Sequence, residues 1–244
     1  MNKLIISGCS WSCGVWNQDA KDNKVFLEED CFTNMLKHNF MVFNISKGGR
    51  SNWESLFSIL NFQYLPELKY HIILFQTDFS RMALSEKFGL LKQDIKEKLE
   101  EANDLKIFFQ SISEFFYYKV DSVTEIIDKP INVVGGLGDI DIDFCKRFNN
   151  INVFCESWKS LLDSEYTPHP IPTQIDSNIF KMAMDLKRFD LCDEIEHHNF
   201  KNFHNYERLL SNEHIGSFLH DDHPNQSGFK IMSDYILDNQ TELL

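Results

Sequence analysis

No linker rich in glycine, serine or proline interrupts the 244 residues, and no internal repeat or low-complexity tract marks a boundary between folding units. One domain spanning residues 1–244 is therefore expected, a length that a single α/β domain commonly reaches. Positive charge is also scarce. Against 37 Asp and Glu the chain sets 24 Lys and Arg, a net charge of −13, and no basic run offsets that balance. Phosphate backbones and anionic membrane surfaces recruit clustered cations, so neither nucleic acid nor a membrane is expected as a partner. Residues Met1 to Cys9 end as a lipoprotein cleavage box does, but a leader needs an apolar stretch of about 7–15 residues. Only Leu4, Ile5 and Ile6 are large and apolar before Ser7. The segment is expected to be the first strand of the mature fold, and the setting cytoplasmic.

Metal and cofactor signatures are missing as well. The six cysteines, at positions 9, 13, 31, 145, 155 and 192, show no paired metal spacing. Several lie in apolar strands, as reduced, buried thiols do. His197, His198, His204, His214 and His220 belong to no His-Glu-x-x-His pattern. The loop Gly135-Gly136-Leu137-Gly138-Asp139 has neither the Gly-x-Gly-x-x-Gly spacing nor a Gly-Lys-Ser/Thr sequence. It reads as the rim of a site and not as a phosphate cradle. No metal and no cofactor are expected.

The chain does carry short β-branched runs alternating with helical periodicity. Residues 4–6, 40–45, 71–75, 131–134 and 151–154 read as strands. From Ser85 to Asp128 apolar residues recur at three- and four-residue steps, with a break at Asn103-Asp104. Strands alternating with helices predict a parallel sheet covered on both faces. Twenty-two phenylalanines imply a large aromatic core. Residues 156–215 form a long polar stretch before the last helix, and this is where a lid or specificity insertion is expected.

Two segments carry the chemistry. Gly8-Cys9-Ser10-Trp11-Ser12-Cys13-Gly14 follows the first strand, where open α/β sheets place their ligands. Near the other end runs His220-Asp221-Asp222-His223-Pro224-Asn225-Gln226-Ser227-Gly228, leading into a helical pattern. A serine hydroxyl is inert without a base, and a histidine base works best when a carboxylate holds its tautomer. Both parts are present.

These segments resemble the SGNH (GDSL-like) hydrolases, through Gly8, Ser10, Ser12 and Gly14 at one end and His223-Pro224-Asn225 with Gly228 at the other. The resemblance implies a three-layer αβα, flavodoxin-like fold with five parallel strands. It implies a serine esterase acting on a carboxylic ester, such as an O-acetyl group on a carbohydrate. Ser10 would be the nucleophile, His223 the base, and Asp221 or alternatively Asp222 the orienting carboxylate. An oxyanion hole would draw on the Ser10 and Gly48 or Gly49 amides, with Thr77 or Gln76 replacing the family's asparagine. The sequence departs from the family pattern at four positions: Phe75 stands in place of a glycine, Thr77 in place of the asparagine, His220 in place of the usual aspartate, and Cys9 after the first glycine. An O-acyltransferase using the same residues, and a non-catalytic binding protein on the same fold, are the alternatives.

Overall fold

The computed structural model describes residues 1–18, 25–63, 69–79, 89–168, 172, 175–211, 219, 220 and 223–244. Its strands, in chain order, are β1 (Asn2–Ser7), β2 (Val15–Gln18), β3 (Val25–Glu29), β4 (Phe40–Asn44), β5 (Tyr70–Gln76), β6 (Ile131–Gly135), β7 (Ile151–Cys155), β8 (Leu219–His220) and β9 (His223–Pro224). Five of them make one sheet in the order β4-β1-β5-β6-β7, every pair parallel. The first strand therefore lies between the second and third strands of its own sheet. The expected five strands are these five. Two small antiparallel pairs, β2 with β3 and β8 with β9, carried no signal in the sequence strong enough to be expected.

Pleating sends alternate residues to opposite faces, and here each face meets its own core. Ile5, Ile72, Leu74, Ile131 and Val133 point to one side. Leu4, Ile6, Ile73, Phe75 and Val134 point to the other. The helices are α1 (Ser10–Cys13), α2 (Cys31–Leu36), α3 (Asn52–Ile59), α4 (Gly89–Glu101), α5 (Leu105–Ile127), α6 (Ile142–Cys145), α7 (Trp158–Leu162), α8 (Ser177–Asp185), α9 (Phe189–Ser211) and α10 (Gln226–Asp238). Helices α3 and α5 cover the first face, with α4, α8 and α9 packed outside them. The second face is covered by α2, α7 and α10.

The long α5 shows why its sequence is helical. Phe108, Phe109, Ile112, Phe116, Val120, Val123 and Ile127 recur at helical spacing and are all buried. Asp104 caps its start by accepting from the Ile107 amide at 2.8 Å, and Asp128 ends it in a left-handed conformation with φ 52°. The break between α4 and α5 falls where Asn103-Asp104 predicted it. Within 156–215, Ile179, Met182, Ala183, Leu191, Cys192 and Ile195 are buried in the first core, so this side of α8 and α9 packs into it.

Main chain meets main chain at the carboxyl ends of β5, β6 and β7. A Cβ on Gly135 would lie 2.0 Å from the Glu156 carbonyl oxygen, and one on Gly138 would lie 2.5 Å from that of Thr77. The Gly136 and Gly138 amides both donate to the Gln76 carbonyl, at 3.1 and 3.3 Å. Those two N–H groups are taken up inside the fold. After β4, a turn is closed by the Arg50 amide donating to Lys47 O at 3.3 Å, with Gly49 at φ +75°, as a type II turn requires at its third position.

These two glycines are needed for different reasons, and their substitutions separate accordingly. Gly135→Ala drives a Cβ into a fixed backbone, and a loss of about 3 kcal/mol is expected from overpacking of this severity. Gly49→Ala meets open space and bears only the left-handed penalty, about 1 kcal/mol. Urea unfolding of the two variants measures both, and equal losses would show that the close approach at Gly135 relaxes freely.

Candidate active site

Ser10 is the first residue of α1, directly past the carboxyl end of β1, and is buried at 3% exposure. Beneath α1 lies an aromatic cluster: Trp11 meets Trp158 edge-on with centroids 5.6 Å apart, and Trp158 packs on Phe32, Phe75 and Phe229. Phe75, which stands where the family resemblance places a glycine, is thus a core residue of the second face.

The loop after β4 is tied to α1 from several directions. Asn44 Nδ2 donates to Ser12 O at 2.8 Å and Cys13 O at 3.3 Å, and its Oδ1 accepts from the Ser46 amide at 3.1 Å. Ser12 Oγ donates to Ser46 Oγ at 3.0 Å and approaches Cys9 O at 3.3 Å. The Lys47 amide donates to Gly8 O at 3.2 Å. Ser12 is therefore a structural tie between α1 and this loop. Cys13 bonds the Ser46 carbonyl through its thiol at 3.6 Å, and burial pushes that thiol's pKa upward. A raised thiol is a poor nucleophile at neutral pH.

Gly48 and Gly49 are exposed at the turn that follows. Ser51 then caps α3 through a reciprocal pair, its Oγ accepting from the Glu54 amide at 3.3 Å and its own amide donating to Glu54 Oε2 at 3.0 Å. That leaves Asn52 available for a different partner. Asn52 Oδ1 accepts from the Thr77 amide and its Nδ2 donates to the Thr77 carbonyl, both at 2.7 Å. The Thr77 hydroxyl is buried and makes no hydrogen bond among the described residues.

Gln76 lies elsewhere. It follows Ile72 and Leu74 on the face toward α5, where its Nε2 donates to the Asp139 carbonyl at 2.6 Å and its Oε1 accepts from the buried Tyr117 hydroxyl. Pleat parity directs it away from the other residues of the site. Asp139 organises a second cluster at the end of β6 that the sequence did not single out as a group. Its carboxylate accepts from Ser157 Oγ at 2.5 Å and from the Tyr166 hydroxyl, with Lys159 Nζ 3.4 Å away. Burial, reinforced by Asp139, pushes Tyr166 well above the ordinary phenol range. The phenol's contribution to stability is thus present below about pH 10 and is lost only above it. Deeper thiols are inert for the same reason, burial raising Cys145 and Cys155 to about 12.

The histidine arrives from the far end of the chain. Asn225 caps α10 by accepting from the Ser227 and Gly228 amides at 2.9 and 3.2 Å. The cap fixes His223 and Pro224 as the strand β9 immediately before the helix, and this strand lies against α1. Ser10, the turn at Gly48 and Gly49, and His223 are thereby gathered at one end of the sheet, together with Thr77. His220 pairs with His223 across β8 and β9 through the backbone. Asp221 and Asp222 lie outside the described residues. Among the described residues no group of three or more His, Cys, Asp or Glu side chains could hold a metal ion, and no helix is long and apolar enough to cross a membrane.

No family model matches the chain, and no curated protein matches it significantly. Solved structures do. One is a lipase/acylhydrolase from Enterococcus faecalis, 12% identical with a TM-score of 0.43, covering 100% of this chain and 98% of its own. Another is a member of the lipolytic protein G-D-S-L family from Veillonella parvula, 16% identical with a TM-score of 0.41, covering 100% of both chains. The fold described above rests on strand pairing, independently of these loose overlaps.

The two serines of α1 are separable by labelling. A sulfonyl fluoride or phosphonate is expected to modify Ser10 and leave Ser12 free, because the Ser12 hydroxyl is held by Ser46 and Cys9. Peptide mass spectrometry decides, and an adduct on Ser12 would remove Ser10 as nucleophile.

Proposed function

We propose that this protein is a serine hydrolase of carboxylic esters, with an O-acetylated carbohydrate or a similar small ester as substrate. The observation that carries the reading is the contact of β9 with α1, which sets the His223 segment against the helix that begins at Ser10. In this reading Ser10 Oγ attacks the acyl carbon while His223 takes its proton and returns it to the leaving alcohol. Asp221, or alternatively Asp222, orients the imidazole. Water then attacks the acyl-enzyme, with His223 again as base, the bond from the acyl carbon to Ser10 Oγ breaks as His223 returns the proton to that oxygen, and the carboxylic acid product departs.

The tetrahedral oxyanion would be held by the Ser10 amide, the Gly48 or Gly49 amide, and the Thr77 hydroxyl. Thr77 is preferred over Gln76 because the Gln76 amide is bonded on both sides, to Asp139 and Tyr117, whereas the Thr77 hydroxyl is buried with no hydrogen-bond partner among the described residues. A hydroxyl bonded only in the transition state lowers the barrier without tightening ground-state binding.

The assay is turnover of short-chain aryl esters and acetylated sugars by the purified protein, with and without an alcohol acceptor. Acyl transfer outrunning hydrolysis would make it an O-acyltransferase, while neither turnover nor labelling of Ser10 would leave a binding protein on this fold. With activity in hand, His223→Ala is expected to lower kcat by at least about 1000-fold, and His220→Ala by far less. Equal losses would point to a two-histidine site. Thr77→Val, nearly isosteric, is expected to lower kcat by about 100-fold with KM almost unchanged. An unaltered rate would mean a hole built from backbone alone.

A further inference from the structure

Asn52 is 1% exposed, yet its polar side chain does not cap the helix it begins, a role that Ser51 fills. Both of its polar atoms reach across to the main chain of one residue, accepting from the Thr77 amide and donating to the Thr77 carbonyl. The carboxamide thus occupies the place of a neighbouring strand at the point where β5 has run out of ladder partners. Two short bonds from one rigid group fix both position and orientation of the peptide units on either side of Thr77. The same residue is the first of α3, joined through the Ser51 cap to the turn containing Gly48 and Gly49.

We infer that Asn52 is a positioning residue that locks Thr77 to the glycine turn, so that the hydroxyl and amide donors of the oxyanion hole keep one fixed separation. This rests on the hydrolase reading above. Without the bracket the Thr77 peptide has a buried N–H and C=O to satisfy by other means, and the chain end must shift to do so. The hydroxyl on that residue then moves relative to Gly48 and Gly49. Oxyanion stabilisation depends on donors held in place before charge develops, so the loss falls on the transition state and not on the bound ester.

The test reads kcat and KM separately for Asn52→Asp, which retains the acceptor and removes the donor, and for Asn52→Ala, which removes both. Expected losses in kcat are about 10-fold and about 100-fold, with KM held within about twofold, as a misplaced group far from direct contact produces. Affinity for an aryl boronate, which forms a tetrahedral adduct on the serine, should fall by the same factors, and affinity for the product alcohol should not. In a Thr77→Val background, Asn52→Ala should cost less than about threefold, because a residue that acts through another loses its effect when that other is gone. A merely structural Asn52 would instead give additive losses, and additivity overturns the inference.

Should the Asn52 variants fail to fold, the wild-type protein with the boronate bound decides. A boronate oxygen within about 3 Å of Thr77 Oγ1, with the Asn52 bracket intact, sustains the role, and an oxygen directed away from Thr77 overturns it. Wild-type protein that neither turns over esters nor captures the boronate on Ser10 overturns the hydrolase reading together with the role of Asn52. Full kcat in both Asn52 variants, with wild type active and labelled, overturns the role of Asn52 alone.

Discussion

The approach of backbone to backbone at the carboxyl ends of β5, β6 and β7 is the constraint on which the rest of the molecule depends. Gly135 and Gly138 admit the Glu156 and Thr77 carbonyls at distances where any side chain would collide. With the strand ends drawn together, the Gln76 carbonyl receives two amides from the next loop, and the Asp139 carboxylate comes within reach of Ser157, Tyr166 and Lys159. That closed group pins the chain past β7 over the end of the sheet, with both carboxylate oxygens of Asp139 bonded. A buried carboxylate left short of partners would cost several kcal/mol; here the partners are built into the same tight corner.

Two polar systems share this edge. On the α5 side, Gln76, Tyr117 and the Asp139 carbonyl form a satisfied chain inside the first core. At the same end of the sheet stand α1, the turn after β4 and the His223 strand, together with Thr77, whose buried hydroxyl has no partner among the described residues. Adjacent residues thus meet different fates: the Gln76 side chain is bonded on both sides inside the first core, and the Thr77 hydroxyl makes no hydrogen bond among the described residues. Of the serines of α1, Ser12 bonds Ser46 and Cys9, and Ser10 heads the helix that touches β9.

Much of the architecture was readable from residue order. Short β-branched runs separated by helical periodicity gave the five parallel strands and the break before α5, because a doubly covered sheet demands apolar residues on both pleat faces. Residue type marked Ser51 or Asn52 as the cap of α3, and only the structure divides them, giving the cap to Ser51 and the Thr77 main chain to Asn52. The β2–β3 and β8–β9 pairs were not, being too short for alternation to register. Nor was the Asp139 group, whose members at positions 139, 157, 159 and 166 share no motif and meet only where two strand ends converge.

For the site, the sequence by itself determined which residue types were on hand: a serine after the first strand, a histidine before the last helix, a glycine turn, and Gln76 and Thr77 in place of an asparagine. Those are matters of local spacing. Which of Gln76 and Thr77 is engaged in the core was decided by pleat parity together with the position of Tyr117 on a helix 41 residues away in sequence. The Asn52 bracket on Thr77 is likewise a contact over 25 residues, invisible to any local pattern. Only tertiary structure could place these groups, because the partner that satisfies a buried polar atom is chosen by proximity in space, and a parallel sheet brings near what its crossovers keep far apart along the chain.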